Sequence, residues 1–184
     1  MLNSGPKRHV GKRVVVIGTS GCGKTTFARK LASKIGAAYI ELDRLHWEPD
    51  WTEAPNDVFR HRIAAELGQA NWVVDGNYGK VRDLVWSQAD TIVWLDYSWI
   101  VVMVRLFWRT MSRLIKQEEL WSGNRETWRT QFLSHDSLFL CALRTFPKHR
   151  REYPLLFTRE EFKHLSVIRL RSPKEGEAWL SRIC

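Results

Sequence analysis

A three-layer α/β fold, with a five-stranded parallel sheet between layers of helix, is the class this sequence predicts. Three observations predict it. RVVVI, at Arg13–Ile17, is a short β-branched run closed at once by glycine and followed by helical spacing. Four more short apolar runs recur along the chain with helical segments between them, the signature of βαβ units whose crossovers cover both faces of a sheet. The length of 184 residues, 44% of them hydrophobic, is that of one domain with material for a buried core. The reading is a single domain over 1–184, carrying a helical, lid-like insertion at 98–150.

The elements follow in order. After the first strand, Lys24–Ile35 places Phe27, Leu31 and Ile35 at helical spacing, with Gly36 as a stop. Ala38–Leu42 reads as the second strand. LDRLHWEPDW, Leu42–Trp51, is acidic and aromatic and reads as a functional loop. Val58, Ile63 and Leu67 belong to the next helix. WVVD (Trp72–Asp75) is the third strand, TIVWL (Thr91–Leu95) the fourth and SVIRL (Ser166–Leu170) the fifth. The Ser172-Pro173 pair opens a closing helix.

Gly18-Thr19-Ser20-Gly21-Cys22-Gly23-Lys24-Thr25 fits the phosphate-binding pattern G-x-x-x-x-G-K-[ST] in full, between a strand and a helix as the pattern requires. Glycines let successive backbone N–H groups curl around an anion, and the helix start adds its positive dipole end. Lys24 is expected to neutralise β- and γ-phosphates, Thr25 to ligate Mg²⁺, and Thr26 to complete the nucleotide-binding set. Cys22 reads as a small filler rather than a reactive thiol.

In an open parallel sheet, ligands sit beyond the carboxyl ends of the strands. Asp43 and Asp75 both fall there. Asp75 closes an apolar strand, the pattern that holds a hydrated Mg²⁺, while Asp43 is placed to orient an acceptor hydroxyl and take its proton. Either aspartate could instead cap a helix or turn. Asp96, also after a strand, is read as such a structural residue. His46 and Trp47 are read as lining an acceptor pocket, although a lone histidine is more often structural.

Arg105, Arg109 and Arg113 recur at i, i+4 and i+8, forming one stripe on a helix. Val101, Val104, Phe107, Trp108, Met111 and Leu114 are read as its packing residues. Arg125 and Arg129 repeat the same spacing in the next helical segment. Guanidinium forks bind phosphoryl oxygens bidentately and keep their charge, so the stripe suits a lid that closes over phosphates and excludes water. A solvated basic face is the alternative.

The formal charge of +9 and the pI of about 9.8 favour anionic partners. Cys22, Cys141 and Cys184 are too scattered for a disulfide framework or metal cluster. The N-terminal tail lacks the apolar run of a signal peptide, and the apolar stretch from Thr91 to Val104 is interrupted by Asp96 and is shorter than the roughly 20 residues a spanning helix needs. A cytoplasmic protein, monomeric or homodimeric, without membrane contact is expected. Most of the ten tryptophans are read as packing residues with one wet edge, and a few beside the cleft as platforms for a base or ribose.

Five segments together resemble the small bacterial P-loop kinases related to adenylate kinase, including the DNA topology modulation protein (FlaR-like) group. They are GTSGCGKTT from Gly18, LDRLHWEPDW, WVVDGNY from Trp72, the arginine stripe, and LWSGNRETW from Leu120. The resemblance implies a P-loop NTPase core of the nucleoside/nucleotide kinase type with a helical lid. It implies that Gly18, Gly21, Gly23, Lys24 and Thr25 hold ATP·Mg²⁺, that Asp43 faces the acceptor, and that Asp75, Asn77 and Tyr78 line the shared cleft. Arg105, Arg109 and Arg113 would be lid arginines. DGNYGKVR stands where adenylate kinases carry D-G-[FY]-P-R, so the acceptor is left open. Two functions remain: a kinase moving the γ-phosphoryl group to a small acceptor such as a nucleoside or nucleotide, and a P-loop ATPase or regulatory protein acting on nucleic acid. For the kinase, only weak, non-specific nucleic-acid contact is expected.

Overall fold

Val14, Val15, Val16 and Ile17 are all fully buried, which a strand achieves only when both faces of its sheet are covered. The computed structural model describes residues 10–117, 119–124 and 138–183, and there the elements run β1 (Arg13–Gly18), α1 (Lys24–Ile35), β2 (Ala38–Glu41), α2 (Leu42–His46), α3 (Asn56–Glu66), β3 (Trp72–Asp75), α4 (Arg82–Gln88), β4 (Thr91–Leu95), α5 (Trp99–Lys116), α6 (Leu138–Phe157), β5 (Ser166–Leu170) and α7 (Pro173–Ser181). The sheet is five-stranded and parallel, in the order β2-β3-β1-β4-β5.

Alternation along the strands divides the core in two. Val15, Ile17, Trp72, Val74 and Ile92 face Phe59 and Ile63 of α3, Trp86 of α4 and Tyr153 of α6. Val14, Val16, Val73 and Val93 face Phe27 and Leu31 of α1 and Trp179 of α7. β1 is central, so the loop that follows it opens in the middle of the sheet's carboxyl edge. α7 starts as its sequence indicates, with Pro173 in the first turn and the Ser172 hydroxyl accepting the Glu175 N–H at 3.2 Å.

The structure corrects two local expectations. LDRLHWEPDW is not a loop: Leu42 leaves the second strand to start α2, and Pro49–Trp51 forms a single 3-10 turn. Within α5, the stripe that packs inward is Val102, Leu106, Thr110 and Leu114. Val104, Phe107 and Trp108, expected to pack, are exposed, because α5 is apolar on more than one side and the seat offered by the glycine loop selects which side is buried. Arg125 and Arg129 lie outside the described residues. Among the described residues no helix is long and apolar enough to cross a membrane.

Candidate active site

The loop after β1 is built around two left-handed glycines. Gly21 (φ +87°) and Gly23 (φ +95°) lie where L side chains are strained, and Gly21 has no room for one. A Cβ on Gly21 would come within 2.9 Å of the Leu106 Cβ, and one on Gly23 within 2.9 Å of an Arg105 guanidinium nitrogen. α5 is therefore seated directly on the loop, although the two are remote in sequence. The Lys24 ammonium donates to the Gly18 carbonyl at 3.0 Å and the Thr19 carbonyl at 3.4 Å. Cys22 is fully buried, and that burial pushes its thiol up, which fits a filler.

Strand pairing brings the second part of the site alongside. β3 lies next to β1 with Asp75 in register with Val16, so the Asp75 carboxylate meets the first turn of α1. The Thr25 hydroxyl donates to Asp75 Oδ2 at 2.6 Å, and the Tyr39 hydroxyl to the same oxygen at 3.2 Å. Asp75 Oδ1 is buried without a hydrogen-bond partner. Burial raises the Asp75 carboxyl above the usual aspartate range, opposed by the charge of Lys24.

Asp43 projects from α2, where its Oδ1 accepts a short hydrogen bond from the Tyr78 hydroxyl. Burial first, and the Asp43 charge second, push the Tyr78 phenol upward, so it stays a donor. Asn77 Nδ2 donates to the Tyr153 hydroxyl at 2.9 Å and lies 3.3 Å from His149 Nε2, tying β3 to α6. The His149 imidazole is lowered to about 4, chiefly by burial, so near neutral pH it is uncharged.

Most of these groups line one cavity of about 950 Å³ over the carboxyl edge of the sheet. Ser20, Gly21, Gly23, Lys24, Thr25 and Thr26 line its middle, together with Asp75. Asp43, Trp47, Asn77 and Tyr78 line the β2 end, and Pro173, Glu177 and Leu180 of α7 the β5 end. Arg105, Arg109 and Arg113 all face it from α5. Arg105 also donates to the Cys22 carbonyl at 3.0 Å and lies over the Tyr97 ring, with 5.5 Å to the centroid.

Of the residues predicted from sequence, Gly18, Thr19, Cys22 and His46 do not line the cavity. Gly18 and Thr19 serve through carbonyls held by Lys24. His46 is only 2% exposed and sits behind the wall, its ring 4.5 Å from that of Tyr78 and 4.8 Å from that of Phe59. Sequence reasoning missed Trp51, Trp121 and a stripe on α6. Cys141, Thr145 and His149 repeat the i, i+4, i+8 spacing of the arginines and line the cavity, but nothing in their residue types marks that face. Trp51 and Trp121 lie inside segments already singled out.

The residues present fit a magnesium nucleotide. An unpartnered buried carboxylate oxygen beside a threonine hydroxyl suits a hard cation that keeps water and takes its remaining ligands from phosphates. Among the described residues no group of three or more His, Cys, Asp or Glu is arranged to hold an ion by itself.

Comparison with known proteins agrees with this architecture. The family described as "ATPase family associated with various cellular activities (AAA)" matches residues 14–96, less than half of the chain. A curated protein of Pyrococcus furiosus named "Putative adenylate kinase" is 35% identical over 71 residues, spanning 35% of this chain. The chain spans about two fifths of that relative's length, 39%. Among solved structures, a gluconokinase from Sinorhizobium meliloti 1021 superposes with a TM-score of 0.51 at 21% identity, covering 95% of this chain and 94% of that one. The shikimate kinase from Bacteroides thetaiotaomicron gives 0.52 at 16% identity, covering 92% and 94%. The chain has the fold of these two kinases.

Proposed function

We propose that this chain is an ATP-dependent phosphotransferase that moves the γ-phosphoryl group to a hydroxyl of a small acceptor. The observation that carries the proposal is that one cavity holds both halves of the chemistry. Lys24, Thr25 and Asp75 stand at its centre, and Asp43, braced by Tyr78, at its β2 end.

The glycine loop would hold the triphosphate of ATP, which supplies the phosphoryl group when bound. Thr25 and Asp75 would hold Mg²⁺, which draws charge from the phosphate oxygens. Lys24 exchanges the Gly18 and Thr19 carbonyls for phosphate oxygens. Tyr78 fixes one oxygen of Asp43 and so orients the other toward the acceptor. Asp43 takes the hydroxyl proton as the acceptor oxygen bonds to phosphorus and ADP leaves. Arg105, Arg109 and Arg113 spread positive charge over the transferring group and keep water out. Dependence on ATP supports a cytoplasmic location for this reading.

The test is a screen of nucleosides, nucleotides and small alcohols with γ-labelled ATP, followed by Asp43→Asn. Transfer to an acceptor is expected, falling by about 10² in the variant while nucleotide binding and slow hydrolysis persist. The charge of +9 favours a second reading, an ATPase acting on nucleic acid. Label passing only to water, at a rate raised by duplex DNA, would establish that reading and overturn the first.

A further inference from the structure

We propose that the β2 end of the cavity is an indole cage, built by Trp47, Trp51 and Trp121, which takes a hydroxyl-bearing ring compound by its flat face. The inference rests on the phosphotransferase reading only for the identification of this end as the acceptor's.

The three indoles line the cavity yet come from segments some seventy positions apart, with Ser122 and Asn124 bonding back across 75 and 76 residues. Their rings stand nearly perpendicular. Trp47 and Trp51 have centroids 5.5 Å apart at 81°, and Trp51 and Trp121 have centroids 6.4 Å apart at 79°. Edge-to-face packing sets one ring's edge against its neighbour's face, so the three indoles stand as adjoining walls of a corner that lines this end of the cavity.

The corner is held in place by a clamp. Asn124, only 5% exposed, accepts the Trp51 backbone N–H through Oδ1 at 2.9 Å. Its Nδ2 donates to the Glu48 carbonyl at 2.8 Å and the Trp121 carbonyl at 2.9 Å. The Ser122 hydroxyl donates to the Trp47 carbonyl at 2.7 Å. Trp51 (φ 54°) and Ser122 (φ 57°) both sit in the left-handed region. A bulky side chain adopts that conformation only where its surroundings impose it, and such residues gather at ligand clamps.

The chemistry of the guest follows from the walls. Indole faces accept a π-system by stacking or the C–H face of a saturated ring, and straight chains offer neither surface. Beside the cage, Asp43, Asn77 and Tyr78 provide the polar groups that hold hydroxyls. A nucleoside and a cyclic polyol share this combination.

Calorimetric titration of the full chain, saturated with Mg²⁺ and a non-hydrolysable ATP analogue, separates the sources. Adenosine and cytidine form one arm, glucose and myo-inositol the second, and glycerol and sorbitol the acyclic control. At least one ring arm is expected to bind saturably and at least tenfold more tightly than the acyclic control. Trp51→Ala and Trp121→Ala should each weaken it at least tenfold, and Trp121→Phe should restore binding to within about threefold. Affinity for the ATP analogue verifies that each variant is folded. The proposal is overturned if acyclic probes bind as well as rings, if the alanine variants bind rings unchanged, or if no ring binds to protein that holds the analogue. Ring binding by protein that transfers no phosphoryl group would sink the kinase reading and leave the cage standing.

Discussion

At Asp75, burial and function pull in opposite directions. The carboxylate is 4% exposed and one of its oxygens is unpartnered, so its charge is held against desolvation with only partial help from Lys24 and Thr25. Its folded pKa lies above the ordinary 3.8, so the folded state binds the proton more tightly than the unfolded chain. The resulting stability is present below that ordinary value and is lost as pH rises through the folded pKa. Asp75→Asn should therefore raise the melting temperature at pH 7 by about 2 °C or more without nucleotide, the gain shrinking as pH falls toward 4. The same variant should need more Mg²⁺ to bind ATP. Thermal scans across pH and a Mg²⁺ titration measure both, and a lower melting temperature at neutral pH would contradict the burial argument. Lys24 makes the complementary case. Its ammonium already sits 3.0 Å from a loop carbonyl, so it needs only a short swing to reach a phosphate. Lys24→Ala should weaken binding of a labelled ATP analogue at least tenfold, about 1.4 kcal/mol. Unchanged affinity would remove the loop from the nucleotide site.

Among the elements, the joint between the glycine loop and α5 carries the most consequence. Leu106 and the Val102 carbonyl close over Gly21, and Arg105 closes over Gly23 and bonds the Cys22 carbonyl. This contact sets the arginine stripe over the glycine loop. Gly21→Ala would combine a left-handed φ with a Cβ 3.0 Å from a backbone oxygen, which cannot give way as a flexible side chain can. It should cost at least about 1–2 kcal/mol of stability and weaken nucleotide binding. Gly79→Ala is the matched control, because a Cβ there meets nothing within 4 Å. Equal melting temperatures for the two variants would show that α5 does not bear on the loop as described.

Across the whole molecule, the surplus of positive charge is organised rather than uniform. Asp96, buried just after β4, receives Arg150 of α6 at 2.7 Å and Arg169 of β5, fastening α6 to the sheet. The arginine stripe faces inward, so part of the surplus belongs to the cavity and not to an outer nucleic-acid face. Duplex DNA should accordingly be held only weakly and without sequence preference, and be released by about 200 mM salt. Filter binding across a salt series measures this. Sequence-selective retention at that salt would favour the nucleic-acid reading over the kinase.

What the sequence determined is what depends on near neighbours. The β-branched runs, the glycine loop with Lys24 and Thr25, and the Asp75 strand end are local chemistry, and β1, β3, β4, β5 and α1 lie where that chemistry puts them. The arginine spacing, likewise, was enough to place three side chains on one helix face. Tertiary structure decided which face of α5 is buried, because its apolar residues allow more than one, and that Leu42–His46 coils into a helix, with the Leu42 side chain packed against Gly76 just after β3. It also sent His46 behind the wall while bringing Trp121 and the Cys141, Thr145 and His149 stripe into the cavity. Periodicity reveals that a helix has faces but not what each one meets. That is settled only when strand order and long-range packing bring remote segments to the same edge of the sheet.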